Sequence, residues 1–135
     1  MEHSIIDTIE DYRNSIKVIN SLLIVMLNAS SNDTDDISYE NLNDYLKIIL
    51  QKINTWFDNI NKTEYKYIEN ENFDTIKLEI SEIFQCLKIL SNALKYTDND
   101  ISFDDISGIL NASIKKIKKC IKNSKNVHLA QYPNY

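Results

Sequence analysis

Glycine and proline are almost missing from this chain. Its 135 residues include one glycine, Gly108, and one proline, Pro133. A sheet protein needs tight turns between its strands, and glycine and proline are the residues that most often form them. The sequence therefore predicts helices. Because 43% of the residues are hydrophobic and 26% are charged, the chain has the composition of a folded domain, and its length suits a single one.

Apolar residues recur at intervals of three, four and seven positions in four segments. This spacing predicts amphipathic helices over about 4–28, 39–61, 73–96 and 103–124. Helices of this length joined by short connections favour antiparallel neighbours. The predicted fold is an all-α, four-helix up-down bundle.

The predicted bundle is one helical domain over residues 1–135, made of two helical hairpins. Hairpin A covers about 4–61, a connector covers 62–72, hairpin B covers about 73–124, and a tail covers 126–135. Residues 37–59 and 101–123 align with an offset of 64, whereas an offset of 67 aligns the residues upstream. A first connection three residues longer than the second would account for the change. We therefore predict that the bundle is built from a duplicated hairpin.

Ser38 and Ser102 are the cap signals that support the duplication. Each serine precedes a predicted second helix and can accept a hydrogen bond from a free N–H group of the first turn. Acidic residues follow at Glu40 and Asp104, where the helix dipole favours them. Apolar periodicity alone explains matched leucines and isoleucines, but it does not explain matched caps.

The two cysteines form neither a metal motif nor a redox motif. The offset of 67 aligns Cys86 with Ile19, and the offset of 64 aligns Cys120 with Trp56. Since both counterparts belong to the apolar pattern, we predict two buried free thiols and a reducing compartment.

No segment of the sequence predicts contact with a membrane. The longest apolar run, Leu22 to Leu27, is too short to span a bilayer. The N-terminus also lacks the basic start of a signal peptide. We therefore predict a cytoplasmic protein, either in its own cell or in an infected host.

Familiar catalytic and ligand-binding motifs are not found in the sequence. The acid-rich segments around Asp35 and Asp100 lack the glycine that a calcium loop requires. His3 and His128 lie near opposite ends of the chain, and a single glycine cannot form a Gly-rich phosphate loop. We expect no enzymatic activity, no metal and no cofactor.

Charge is unevenly distributed along the chain. The formal net charge is −5, yet residues 106–135 contain six lysines and no acid. Five of these lysines fall between the apolar positions of the fourth predicted helix: Lys115, Lys116, Lys118, Lys119 and Lys122. A basic face of this kind can contact phosphate groups or an acidic partner. Lysines near a helix C-terminus are also favoured by the helix dipole alone.

Compactness, acidity and the lack of catalytic motifs favour a protein-binding role. We predict a small acidic helical protein that binds and inhibits or neutralises a protein partner, as immunity proteins, antitoxins and counter-defence proteins do. Since tyrosine is common at interfaces, the predicted partner-binding residues combine tyrosines with lysines: Tyr65, Tyr67, Lys115, Lys118, Lys119, Lys122, Tyr132 and Tyr135.

Two alternatives to this role remain open. Helix 4 could bind nucleic acid, which ranks second because the overall charge is negative and the basic face has no arginine. A remaining apolar stripe could instead pair two subunits in a homodimer.

Residues 4–12 read Ser-Ile-Ile-Asp-Thr-Ile-Glu-Asp-Tyr. This segment resembles the first helix of the poxviral Bcl-2-like inhibitors, which are compact helical proteins that block host signalling or cell death. The resemblance implies a viral Bcl-2-like inhibitor of host signalling as a further alternative. The chain departs from that family because it has no Asn-Trp-Gly-Arg motif, and because the Bcl-2 fold is not a duplicated hairpin.

Overall fold

The structure is a computed structural model that describes residues 5–31, 38–62, 71–95 and 101–124, and the side chains of 10–30, 38–60, 73–95 and 101–124. Four helices occupy these ranges: α1 (Ile5–Ser31), α2 (Tyr39–Lys62), α3 (Glu71–Lys95) and α4 (Phe103–Ser124). The described ranges contain no strand. The predicted all-α four-helix class is confirmed, and each helix ends close to its predicted bounds.

The four helices form a closed ring in which each packs against its two neighbours, and α4 packs against α1. Arg13 Nε, near the start of α1, donates a 2.8 Å hydrogen bond to the carbonyl oxygen of Ser124 at the end of α4. Trp56 Nε1, near the end of α2, donates a 3.2 Å bond to the carbonyl oxygen of Tyr12. The helices joined by these bonds are antiparallel, as an up-down bundle requires.

The core of the bundle is mainly apolar, and its buried polar residues in the described ranges are Ser30, Asn43, Ser113 and Ser124. The apolar residues whose spacing predicts α2 and α3 are all buried: Leu42, Leu46, Ile49, Ile53, Trp56 and Ile60 in α2, and Ile76, Ile80, Ile83, Leu87, Leu90 and Leu94 in α3. Leu27 of α1 and Ile121 of α4 are half-buried at the edge of the core, while Ile5 and Ile9 lie outside the described side chains. Because β-branched isoleucine is a weak helix former, these helices depend on the shared core for stability.

Ser38 and Ser102 cap α2 and α4 in the same way. Ser38 Oγ accepts a hydrogen bond from the N–H of Asn41, and Ser102 Oγ accepts one from the N–H of Asp105, both at 3.1 Å. The carbonyl oxygens of the two serines accept bonds from the N–H four positions later, again at 3.1 Å. The predicted caps are confirmed.

The two hairpins follow a single offset of 64 positions. Helix α1 ends at Ser31 and α3 at Lys95, while α2 begins at Tyr39 and α4 at Phe103. With this offset, every buried apolar residue described in α1 and α2 falls on a buried residue of α3 or α4. The predicted longer first connection and the offset of 67 are therefore wrong. A shift of three residues returns to nearly the same helix face, so apolar spacing could not distinguish the two offsets.

The starts of α2 and α4 meet at one end of the bundle. Tyr39 and Phe103 occupy equivalent positions, and their ring centroids lie 5.2 Å apart. The Tyr39 hydroxyl also donates a hydrogen bond to the carbonyl oxygen of Ile101.

The two cysteines differ in burial. Cys86 is exposed, so the prediction of a buried thiol is wrong for this residue. The offset of 64 places Cys86 at the position of Leu22, at the edge of the core, rather than at that of Ile19. Cys120 is buried as predicted, with 1% of its surface exposed. Burial raises the pKa of the Cys120 thiol to about 12.

Candidate functional site

The predicted binding residues fall into two groups. Lys115, Lys118, Lys119 and Lys122 lie on α4 and are all exposed. We call these four residues the α4 lysine cluster. The predicted tyrosines lie outside the described residues: Tyr65, Tyr67, Tyr132 and Tyr135. The part of the site that can be described is therefore the lysine cluster.

The α4 lysine cluster occupies the side of the helix that faces away from the core. Lys115, Lys118 and Lys122 are spaced by three and four residues, so they form one row, and Lys119 follows Lys115 by one turn. At a rise of about 1.5 Å per residue, the four positions span about 11 Å of the helix. Four positive charges this close repel one another, which makes the surface suited to an anionic partner.

Lys116 differs from the cluster because it pairs with an acid of α3. Its Nζ lies 3.2 Å from Oε2 of Glu82, and this hydrogen bond raises the pKa of Lys116. Among the described residues, no ion pair involves a lysine of the cluster. The acids of α3 therefore neutralise Lys116 and leave the charge of the cluster available.

Two cations of α1 extend the basic surface. Arg13 reaches the last carbonyl of α4, and Lys17 follows it by one turn on the same side of α1. Ser107 marks the side of α4 that faces α1, because its Oγ lies 3.4 Å from Oγ of Ser30. Lys118 follows Ser107 by eleven residues, or about three turns, and therefore lies on the same side of α4. Positive charge therefore continues from α4 to the first half of α1, which sequence reasoning did not predict.

Helix α2 provides an internal comparison for the lysine cluster. The offset of 64 relates the cluster to residues that are neutral or acidic: Gln51, Asn54, Thr55 and Asp58. These residues are exposed, as the lysines are. Since α2 packs with the same pattern of burial as α4, the packing of α4 does not require lysine at the four positions. The cluster is therefore a surface difference between two helices whose buried positions match.

An aromatic cluster lies in the part of the core near Trp56. The Tyr12 ring centroid lies 5.7 Å from that of Trp56 and 5.2 Å from that of Phe73. Burial raises the pKa of Tyr12. Its hydroxyl has no hydrogen-bond partner among the described residues. Tyr12 therefore packs against the rings of Trp56 and Phe73 in the core.

A shallow groove of about 380 Å³ lies on the outside of the bundle between α1 and α2. Trp56 and Val18 are among its lining residues, and Asp11 and Lys52 are the charged ones. Ser15 and Thr55 add hydroxyl groups to the lining. The groove thus combines apolar, polar and charged side chains on the outer surface of the bundle.

Three findings concern the molecule more broadly. The described residues include no group of three or more histidine, cysteine, aspartate or glutamate side chains placed to hold a metal ion. None of the helices in the described ranges is both long enough and apolar enough to cross a membrane. Comparisons of the chain with protein-family models, curated proteins and solved structures found no match.

Proposed function

We propose that this protein is a non-enzymatic binding module that neutralises an acidic protein partner by covering it with the α4 lysine cluster. The observation that carries the proposal is that these four exposed lysines have no ion pair among the described residues. An acidic partner would relieve the repulsion among the four lysines. Attraction between the lysines and the acids of the partner would also raise the rate at which the two proteins associate.

The composition of the core supports a role for the surface rather than for buried chemistry. Its buried side chains are mainly aliphatic and aromatic. The buried thiol of Cys120, with a pKa raised to about 12, is a poor nucleophile near neutral pH because the thiolate is the reactive form. Function through recognition alone is consistent with these properties.

Nucleic-acid binding through the same lysines is the second candidate. The continuation of positive charge to Arg13 and Lys17 favours it, because phosphate contacts dominate such binding. Two observations favour an acidic protein over it. Arg13 donates to a main-chain carbonyl, and α4 contains no arginine, the side chain that most often recognises base edges.

We also propose that the two hairpins arose by duplication and then diverged on the surface. The common offset of 64 for helix ends, serine caps and buried positions supports this origin. Under this proposal, the lysines of α4 distinguish a recognition helix from its copy, α2. An experimental structure in which the two hairpins have clearly different interhelical angles would contradict it.

The test of binding replaces the cluster by the residues of α2, in a variant with Lys115→Gln, Lys118→Asn, Lys119→Thr and Lys122→Asp. Tagged wild-type protein serves as bait in lysate of the organism that encodes it, and any stoichiometric partner is then purified. We expect the variant to bind that partner at least about tenfold more weakly, since several charge contacts are lost together.

A control with the same change of net charge replaces exposed lysines of α2 and α3 instead, with Lys47→Asp, Lys88→Asp and Lys95→Gln. We expect this control to bind almost as well as the wild type. Equal losses in both variants would contradict the proposal. If a DNA duplex binds the wild type with a steep dependence on salt and no protein is retained, the second candidate replaces the first.

A further inference from the structure

We propose that two copies of the chain associate through a ridge on the outer side of α2. The ridge consists of Asp44, Ile48 and Lys52, which are all exposed and follow one another at intervals of four residues. Ile48 is a large apolar side chain with 49% of its surface exposed. The ridge therefore has an acid at one end, an apolar residue at its centre and a base at the other end.

The order of these three residues makes the ridge complementary to itself. A two-fold axis beside Ile48 would bring this residue next to its copy. Asp44 and Lys52 lie about 6 Å along the helix on either side of Ile48. The same axis would therefore place Asp44 of each chain opposite Lys52 of the partner subunit. Among the described residues, neither Asp44 nor Lys52 forms an ion pair.

The spacing of the ridge also suits packing between two helices. Side chains four residues apart form the rows that interdigitate in the commonest class of helix pairs, which cross at about −50°. The ridge of one α2 could thus lie in the groove beside the ridge of the other. A second copy of this chain fits both the spacing and the charges.

Apolar residues of α1 extend the surface next to the ridge. Val18 and Val25 are 47% and 55% exposed, and their spacing of seven residues puts them on one side of α1. Val18 lines the groove between α1 and α2 together with Lys52. The valines therefore border the ridge and add apolar area around its centre.

The equivalent surface on α3 and α4 keeps an exposed apolar residue at the position of Val25, where Ile89 is 68% exposed, but it is paired within the chain at the positions of Val18 and Lys52. The offset of 64 puts Glu82 at the position of Val18 and Lys116 at the position of Lys52. These two residues form the ion pair of 3.2 Å across α3 and α4. The positions held by a valine and a lysine on α1 and α2 are thus held by an ion pair on α3 and α4.

Helix α4 has no counterpart of Asp44 or Ile48. Gly108 stands at the position of Asp44, and Ala112 stands at the position of Ile48. The second hairpin therefore has neither the acid nor the large apolar centre. The self-complementary ridge is a property of α2, so the predicted assembly closes as a dimer rather than growing into a filament.

Dimerisation through α2 would leave both α4 lysine clusters free. Helices α2 and α4 lie across the diagonal of the ring, so their outer sides face in opposite directions. A dimer would present two clusters at once and would gain avidity for a partner that is itself repeated or immobilised. The inference thus adds an assembly to the proposed function and does not depend on it.

The test measures the mass of the full chain by light scattering during size-exclusion chromatography, over a roughly hundredfold range of concentration. We expect an equilibrium between monomer and dimer. Ile48→Asp should shift it to monomer, whereas Ala112→Asp, the equivalent change on α4, should leave the dimer intact. A monomer at all concentrations, or equal effects of the two substitutions, would overturn the inference.

Charge reversal tests the predicted pairing of Asp44 with Lys52 of the partner subunit. Asp44→Lys and Lys52→Asp should each weaken the dimer by about tenfold, because each places like charges opposite one another. The double variant D44K/K52D should restore the dimer, since it reverses both members of each pair. A double variant weaker than either single variant would overturn the pairing. All these variants keep the α4 lysine cluster, so their outcome is independent of whether it binds an acidic partner.

Discussion

Ser102 and Asp105 exchange two hydrogen bonds at the start of α4. Ser102 Oγ accepts from the N–H of Asp105, and Asp105 Oδ2 accepts from the N–H of Ser102, both at 3.1 Å. This reciprocal arrangement follows the logic of a capping box, with aspartate in the place of glutamate. Asn41 stands at the equivalent position of α2. The serine cap is therefore common to both hairpins, and the carboxylate of Asp105 adds a second bond at the start of α4.

Removal of the Ser102 hydroxyl should destabilise the fold. We expect Ser102→Ala to lower the free energy of unfolding by about 1 kcal/mol, because an N–H of the first turn loses its partner. Urea unfolding followed by circular dichroism measures the change. Ser21→Ala, in the middle of α1, is the control and should have little effect since alanine is the better helix former. A loss no larger than that of the control would contradict the capping role.

Asp105 should contribute to the dependence of stability on pH. Hydrogen bonds from the backbone and side chain of Ser102 lower the pKa of its carboxyl below the usual 3.8. Its stabilising effect is therefore present above the pKa of the unfolded chain and is lost as pH falls through the lower, folded-state pKa. Denaturant unfolding between about pH 5 and pH 2 should show a smaller loss for Asp105→Asn than for the wild type. An identical loss in both would contradict this assignment.

The two thiols should differ in reactivity. Cys86 is exposed and Cys120 is buried, and burial raises the pKa of Cys120 to about 12. We expect a disulfide reagent that releases a coloured product to modify Cys86 in the native protein and Cys120 only after unfolding. Cys86→Ser should remove the fast reaction, and Cys120→Ser should preserve it. Fast reaction of both thiols in the folded wild type would contradict the predicted burial.

The sequence predicted the four helices well, but it did not predict how the two hairpins align with each other. Apolar periodicity and the caps at Ser38 and Ser102 were sufficient for the four helices. The match between hairpins was misplaced by three residues because such a shift preserves the helix face. The burial of Cys86 was consequently predicted wrongly.

Contacts between helices explain which parts of the surface the sequence did not predict. The lysines of α4 stand out as a run in the sequence, so the cluster could be recognised. The nearness of Arg13 and Lys17 depends on the pairing of α1 with α4, which no local pattern specifies. The exposure of Ile48 became evident only when the buried side of α2 was known.

Replacement of the lysine cluster by the residues of α2 should preserve the fold. Weaker helix formers at these sites cost about 1–2 kcal/mol in total, and relief of repulsion offsets part of this loss. Ile117→Ala, in the core of the same helix, should cost about 2–5 kcal/mol because it leaves a cavity. Thermal unfolding compares the two. A cluster variant less stable than Ile117→Ala would indicate that the lysines have a structural role.

At the scale of the whole molecule, surface chemistry is divided between opposite sides of one bundle. The outer side of α4 carries four lysines, whereas the outer side of α2 carries the ridge of Asp44, Ile48 and Lys52. Both helices use equivalent positions to fill a common core. The core can therefore stay constant while each side acquires a separate binding role.

Calorimetric titration of the purified partner into wild-type protein and into the four-residue α4 variant measures how much of the affinity depends on the α4 lysine cluster. We expect tight binding to the wild type that weakens with added salt, and about a tenfold or greater loss of affinity in the variant at low salt. Equal affinity for the two proteins, with α4 of the variant still folded, would contradict the proposed role of the cluster.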